Sequence, residues 1–203
     1  MASIDERKRE YYYNKAKEEG YRSRASYKLK QLQKKFYIIK RGNVVVDLGA
    51  APGGWSQVAS EYVGSKGKVV AVDKQAILPF EKKNIEILRL DMRRPDLAEK
   101  IEEVAGSVAD VVLSDLAGNV TGNWSLDADR QNYLVLLALN ACHKILKPGG
   151  IFVTKVFRGP TIQELDGEIK PWFEKIRRFR PPATRKRSAE EYYVCMGYKG
   201  NQE

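Results

Sequence analysis

The sequence predicts an α/β protein built on a seven-stranded, mostly parallel sheet, and three observations carry that prediction. Four apolar, β-branched runs, at 44–47, 68–73, 85–91 and 109–115, each end in an acid. Segments with helical spacing or Gly/Pro turns separate them, the alternation that a parallel sheet with crossover helices requires. A fifth apolar run at 150–157, and two further strands near 176–179 and 190–198, complete the sheet.

Taken in order, residues 5–19 alternate charges with Tyr11, Tyr12 and Tyr13 and read as a polar helix closed by Gly20. Ser26 is the expected N-cap of a helix carrying Leu29, Leu32 and Phe36 on one face. The first strand runs into a glycine-rich turn and then an amphipathic helix from Trp55 to Val63. Gly64 to Gly67 turn the chain into the second strand, and Pro95 opens a helix to about Val104. After the fourth strand a loop over 116–126 leads to Asp127, the expected cap of a long helix to about Leu146, where Lys147-Pro148-Gly149-Gly150 stops it. A helix from Thr161 breaks near Pro171, and a basic loop from Arg180 to Ser188, including Arg185, Lys186 and Arg187, joins the last two strands.

A chain of 203 residues is expected to form one domain over 1–203, with a basic helical segment over 1–40 and the α/β core over 41–199. Lys and Arg outnumber Asp and Glu by 36 to 26, a net charge of +10 that favours a polyanionic partner. Arg22, Arg24, Lys28, Lys30, Lys34 and Lys35 interleave with tyrosines, a pattern suited to phosphates and stacked bases, so nucleic acid is preferred to a membrane surface. No apolar run approaches the ~18 residues of a membrane span. A soluble, cytoplasmic monomer is expected. Cys142 and Cys195 lack metal-ligand spacing and read as packing residues in a reducing compartment, while His143 reads as a solvated helix position; no metal centre is expected.

The turn after the first strand, Gly49-Ala50-Ala51-Pro52-Gly53-Gly54, lets the backbone approach a ligand without a Cβ in the way. Its spacing departs from the dinucleotide fingerprint, which needs glycine at position 51, and no G-K-[ST] follows as a phosphate loop requires. A glycine loop after the first strand with an acid after the second also suits S-adenosylmethionine, whose ribose hydroxyls can bond that acid. Asp73 stands about 20 residues past the loop, as that geometry requires. A purely structural strand-turn-helix is the alternative, and it leaves the repeated acids Asp47, Asp73, Asp91 and Asp115 unexplained. In an open α/β sheet ligands bind beyond the carboxyl ends of the strands, where these acids collect.

Moving a methyl group from a sulfonium to a hydroxyl requires in-line alignment and removal of a proton from a weakly acidic alcohol. A lysine can take that proton only when neutral; a neighbouring cation favours the neutral form, while a carboxylate holds the amine in place but pushes its pKa the other way. Lys155 lies inside the apolar fifth strand, where a lysine is costly without a partner or a role, and Asp115 ends the adjoining fourth strand. Lys28 and Glu190, distant in sequence, would complete a Lys-Asp-Lys-Glu cluster.

With these residues in view the chain resembles the FtsJ/RrmJ-type ribose 2′-O-methyltransferases, from about Arg22 to Gly197. The matching pieces are Ser23 to Leu29, Asp47 to Gln57, Ser114-Asp115, Lys155-Val156-Phe157 and Ser188-Ala189-Glu190. The resemblance implies a Rossmann-like S-adenosylmethionine-dependent methyltransferase fold whose last strand is antiparallel, and a catalytic tetrad of Lys28, Asp115, Lys155 and Glu190. It also implies a cofactor site touching Gly53, Trp55, Asp73, Asp91 and Asp115, beside the glycine loop begun by Gly49. Where the family commonly has Ser-Asp-Met-Ala-Pro-Asn, this chain has Ser114-Asp115-Leu116-Ala117-Gly118-Asn119, and loss of the proline frees the loop. Strand alternation allows only one of Glu190 and Glu191 on the site face, and the motif register selects Glu190.

The substrate implied is a uridine ribose of large-subunit ribosomal RNA, often in the assembled subunit, with the transfer RNA anticodon loop as the alternative. A binding module that keeps the pocket and acts in ribosome assembly is the competing class. It has no need of a lysine in the fifth strand. Methylation of a small molecule or a protein would leave the basic segments unexplained.

Overall fold

Valine and isoleucine recur through the central parallel strands because branched side chains pack well on a pleated surface buried on both faces. The computed structural model of the chain describes residues 4–118, 121–159, 161–186 and 188–200. Asn119 of the substrate loop and Arg187 of the basic loop lie outside the described residues. The elements run α1 (Ile4–Glu18), α2 (Ser26–Phe36), β1 (Val44–Leu48), α3 (Gly54–Val63), β2 (Lys68–Asp73), β3 (Ile85–Arg89), α4 (Leu97–Ala105) and β4 (Ala109–Ser114). They continue with α5 (Trp124–Ile145), β5 (Leu146–Phe157), α6 (Ile162–Ile169), a 3-10 turn (Lys170–Trp172), β6 (Phe173–Phe179) and β7 (Glu190–Tyr198).

The sheet has seven strands in the order β3-β2-β1-β4-β5-β7-β6. Strands β1 to β5 pair in parallel, and β7 enters antiparallel between β5 and β6. The order reverses between β1 and β4, which makes the carboxyl ends of those strands the switch point where a crevice opens. One face is covered by α2 and α3 over Val45, Val69, Val111 and Val153; the other by α4, α5 and α6 over Val46, Val70, Val112 and Phe152. Leu29 and Leu32 of α2 are fully buried, each adding about 1.5–3 kcal/mol of apolar burial that pins the basic helix to the sheet.

Several local expectations are corrected. Ser26 is the first helical residue and not the cap: Ala25 holds that position, and the Ser26 hydroxyl donates to the carbonyls of Ser23 and Gly54. The long helix is capped by Asn123, while the Asp127 carboxylate accepts from Thr121 N, Thr121 Oγ1 and Gly122 N and so ties down the incoming loop. Strand β3 stops at Arg89, because the Asp91 carboxylate turns the chain by accepting the Arg93 N–H at 3.0 Å. The fourth helix begins at Leu97, with Asp96 as its N-cap and Pro95 outside it. His143 is not solvated: it is half-buried, 4.2 Å from the Trp172 ring, with Nδ1 2.8 Å from the Tyr198 hydroxyl, and burial lowers its pKa. Cys142 and Cys195 are buried free thiols.

No helix among the described residues is long and apolar enough to cross a membrane. No group of His, Cys, Asp and Glu among the described residues is arranged to hold a metal ion.

Candidate active site

A cleft of about 400 Å³ opens at the switch point, lined by Gly49 and Ala51 after β1, Asp73 to Gln75 after β2, Asp91 to Arg93 after β3 and Asp115 to Ala117 after β4. Tyr133, Leu134 and Leu137 of α5 close it with an apolar wall. Gly49 has φ +75°, a backbone angle that favours glycine, and the Leu116 side chain packs into the space a Cβ would take. The Asp73 carboxylate accepts from Ala51 N at 2.9 Å and Gln75 N at 2.8 Å, which fixes it as the hinge between the two loops of the cleft. Asp91 is gripped by Arg93, whose side-chain and backbone N–H groups hold its carboxyl down at about 2.

Asp47 does not join the other acids. It is 1% exposed beneath α3, where Ser56 Oγ donates to it at 2.6 Å. Burial pushes its carboxyl up to about 7, reinforced by the negative charges of Asp115 and Asp73. Two of the residues expected around the cofactor, Gly53 and Trp55, are likewise absent from the cleft lining. Gly53 makes room for Phe80 and Arg22, whose atoms lie 2.5 and 3.1 Å from where its Cβ would be. The Trp55 ring is buried against Tyr192 at 5.6 Å, and its Nε1 donates to the Ala25 carbonyl.

Beside the cleft, residues from four elements converge. Lys28 of α2 donates to both carboxylate oxygens of Glu190, at 3.3 and 3.2 Å, and to the Tyr192 hydroxyl at 3.0 Å. Tyr192 donates to Asp115 Oδ1 at 2.6 Å. Lys155 donates to the Asp115 carbonyl at 2.9 Å, lies 3.2 Å from Asp115 Oδ1, and closes the ring 4.0 Å from Glu190. Lys155 is only 4% exposed and Lys28 6%, whereas Asp115 and Glu190 each keep 19% of their side chains open. Burial alone would raise the Asp115 carboxyl, but Lys155, Lys28 and the Tyr192 hydroxyl together leave it below the usual carboxylate range.

Tyr192 escaped the reading of the sequence. Its signal is positional: it lies two residues after Glu190 on one face of β7 and pairs across the sheet with Lys155. Burial, then Asp115 and Glu190, push its hydroxyl well above the ordinary tyrosine value, so it stays a donor. Gln131 was also missed; its Nε2 donates to the carbonyls of Leu116 and Lys155, bridging the ends of β4 and β5. Glu191, on the opposite face from Glu190, pairs with Arg158 at 3.2 Å.

The basic segment is partly consumed by structure. Arg22 donates to the carbonyls of Pro52, Leu78 and Pro79 and lies 3.9 Å from the Phe80 ring centre, clamping the loop after β2. Lys28 belongs to the tetrad, Lys30 pairs with Glu19 at 3.1 Å, and Lys35 lies over Phe179. The two basic segments meet where Ala183 N donates to Gln31 Oε1 at 2.8 Å.

The family model of FtsJ-like methyltransferases matches residues 21–198. The chain belongs to that family. FtsJ-like relatives include a protein of Methanobrevibacter smithii named ribosomal RNA large subunit methyltransferase E, 44% identical over 194 residues, covering 96% of this chain and 92% of the relative. A protein of the same name from Methanosarcina mazei is 48% identical over 188 residues, covering 92% of this chain and 69% of its own. Among solved structures, a ribosomal RNA methyltransferase from Plasmodium falciparum superposes with a TM-score of 0.78 at 26% identity, over 89% of this chain and all of that one. The fold is therefore that of the Rossmann-like methyltransferases, and the cofactor of this FtsJ-like enzyme is S-adenosylmethionine. The cleft suits it: carboxylates meet a cationic sulfonium and hydrogen-bonding hydroxyls, and the α5 wall offers apolar surface to a planar base.

Proposed function

We propose that the chain methylates a ribose 2′-hydroxyl of large-subunit ribosomal RNA, at a uridine, with Lys155 as the base and Lys28, Asp115 and Glu190 as its supporting ring. The observation that carries the reading is the convergence of these four side chains, drawn from α2, the residue after β4, β5 and β7, into one ring that Tyr192 closes beside the cleft. Buried lysines paired with carboxylates are a costly way to build a core, and a binding module gains nothing from them.

Bound in the cleft, S-adenosylmethionine supplies an electrophilic methyl group. Asp73 and Asp91 are the residues placed to hold its polar parts, and Gly49 lets the backbone approach. Lys155, steered by the Asp115 carbonyl and carboxylate, would take the proton of the acceptor hydroxyl and free its oxygen to accept the methyl group, which the cofactor would give up to leave a neutral thioether. Lys28, held by Glu190 and Tyr192, places a second amine beside the reacting groups. The Arg22–Lys35 segment and the 180–186 loop, joined by the Ala183–Gln31 hydrogen bond, serve as the rim that reads RNA phosphates, within one domain spanning both segments and the core.

The test is incubation with labelled S-adenosylmethionine and total RNA, fractionated into large subunits, free ribosomal RNA and transfer RNA. Label in a 2′-O-methyluridine of the large subunit is the expected result. Efficient labelling of unmodified transfer RNA, with large subunits untouched, would overturn the ribosomal assignment and leave the chemistry standing.

A further inference from the structure

Two aromatic rings at the end of β5, beyond Lys155, take no part in the chemistry above. Phe157 lies two residues beyond Lys155 on β5, so the two side chains leave the same face roughly 7 Å apart, the scale of one nucleoside. It also pairs across the sheet with Glu190. Trp124 is the first residue of α5, beyond the loop that follows Asp115, and its ring stands nearly parallel to that of Phe157, with planes 14° apart and centroids 6.3 Å apart. Trp124 is 47% exposed, whereas Trp55 is buried at 3%. An indole held in register with a second ring, yet left open to water, presents a π surface.

We infer that Trp124 and Phe157 form a stacking platform for the base of the acceptor nucleotide and thereby set where its ribose lies against Lys155. The inference rests on the RNA reading above and adds a substrate-positioning contact to it. A ribose whose 2′-oxygen must reach a lysine only 4% exposed cannot remain in a regular helix. Its base must leave the stack, and a base that loses its neighbours needs a new π surface. The platform begins one same-face step from Lys155, in the direction in which β5 leaves the sheet. Stacking tolerates any base, so the rings fix position while identity is read elsewhere.

The experiment compares unaltered protein with Trp124→Ala, Trp124→Leu and Trp124→Phe on large ribosomal subunits that lack the methyl group. Loss of one base stack should raise KM for RNA by about tenfold to a hundredfold in the Ala and Leu variants, and kcat at saturation should fall with it because the ribose is no longer held against Lys155. Phe should return KM to within about threefold of the unaltered protein, and S-adenosylmethionine affinity should stay within about twofold in all. Leucine keeps apolar bulk without a π face, so the Leu and Phe pair separates stacking from packing even if the Ala variant fails to fold. Equal behaviour of Leu and Phe, or a KM unchanged in both, would overturn the platform. The unaltered protein shows first which RNA accepts the methyl group. If that is a transfer RNA, the same variants are compared on it, so the substrate reading can fail while the platform is still tested.

Discussion

The acids on the two sides of the switch point have opposite surroundings. On the β1-β2-β3 side Asp73 and Asp91 sit at the edge of an open cleft and bond backbone N–H groups and an arginine at the surface. On the β4-β5-β7 side Asp115 and Glu190 hold lysines that are almost wholly buried. The first arrangement costs little and leaves carboxylate lone pairs for a ligand, so it suits binding. The second is expensive to desolvate and positions charge where solvent cannot relax it, which suits a reacting centre. Binding and chemistry should therefore separate by mutation across a boundary drawn between β1 and β4.

Asp115 is the residue that should break this division, because it lines the cleft and also anchors Lys155. Asp115→Ala is expected to abolish turnover, weaken S-adenosylmethionine, and cost about 3–5 kcal/mol of stability by stranding a buried lysine. Denaturant unfolding alongside calorimetry checks it; a variant as stable as the parent would contradict the charge ring.

Asp73 should respect the division. Asp73→Ala is expected to lose roughly 1.5–3 kcal/mol of cofactor affinity, the scale of hydrogen bonds to a charged group, with the rate at saturating cofactor less affected. Unchanged affinity in a folded variant would remove Asp73 from the binding side.

The rim lies outside both groups. Converting Arg185, Lys186 and Arg187 together to glutamate should reduce RNA affinity at low salt and flatten log affinity against log salt, while cofactor affinity stays the same. Filter binding across a salt series measures the slope, and an unaltered slope would place the RNA elsewhere.

The smallest effect concerns Asp47, which shares the acid pattern but neither task. Its folded carboxyl is raised to about 7, chiefly by burial, against about 3.9 in an unfolded chain. Between those values the folded state holds a proton that the unfolded state has released, so this group's contribution to stability is full below about pH 4 and is lost as pH rises through 7. Asp47→Asn should therefore compare more favourably with the parent at pH 8 than at pH 5, by about 1–3 kcal/mol. Parallel stability curves for the two proteins across that range would contradict it.

The strands were legible in the sequence because burial on both faces imposes unbroken apolar runs, and β2 and β7 fall where those runs begin and end. Caps were less legible. Ser26 and Asp127 have the chemistry of caps, but tertiary neighbours, Gly54 and the Thr121-Gly122 backbone, claim their side chains. Lys155 and Asp115 were legible from their places at the ends of adjoining strands, whereas Lys28 and Glu190 were fixed only by the resemblance, since local spacing cannot bring them together across 162 positions. Tyr192 stayed hidden because its role depends on the antiparallel register of β7 on β5, which the order of elements leaves undetermined. Asp47 misled because an acid at a strand end reads the same whether it faces a cleft or the underside of a helix.

The separation of binding from chemistry is tested most directly at Lys155. Lys155→Ala should be measured in a single turnover on large subunits at saturating S-adenosylmethionine, with calorimetry on the same preparation. The expected result is cofactor affinity within a few-fold of the parent and a rate lower by roughly 10²–10⁴, the usual range for a lost general base. Methylation near the parental rate in a folded, cofactor-saturated variant would contradict the assignment of Lys155 as the base.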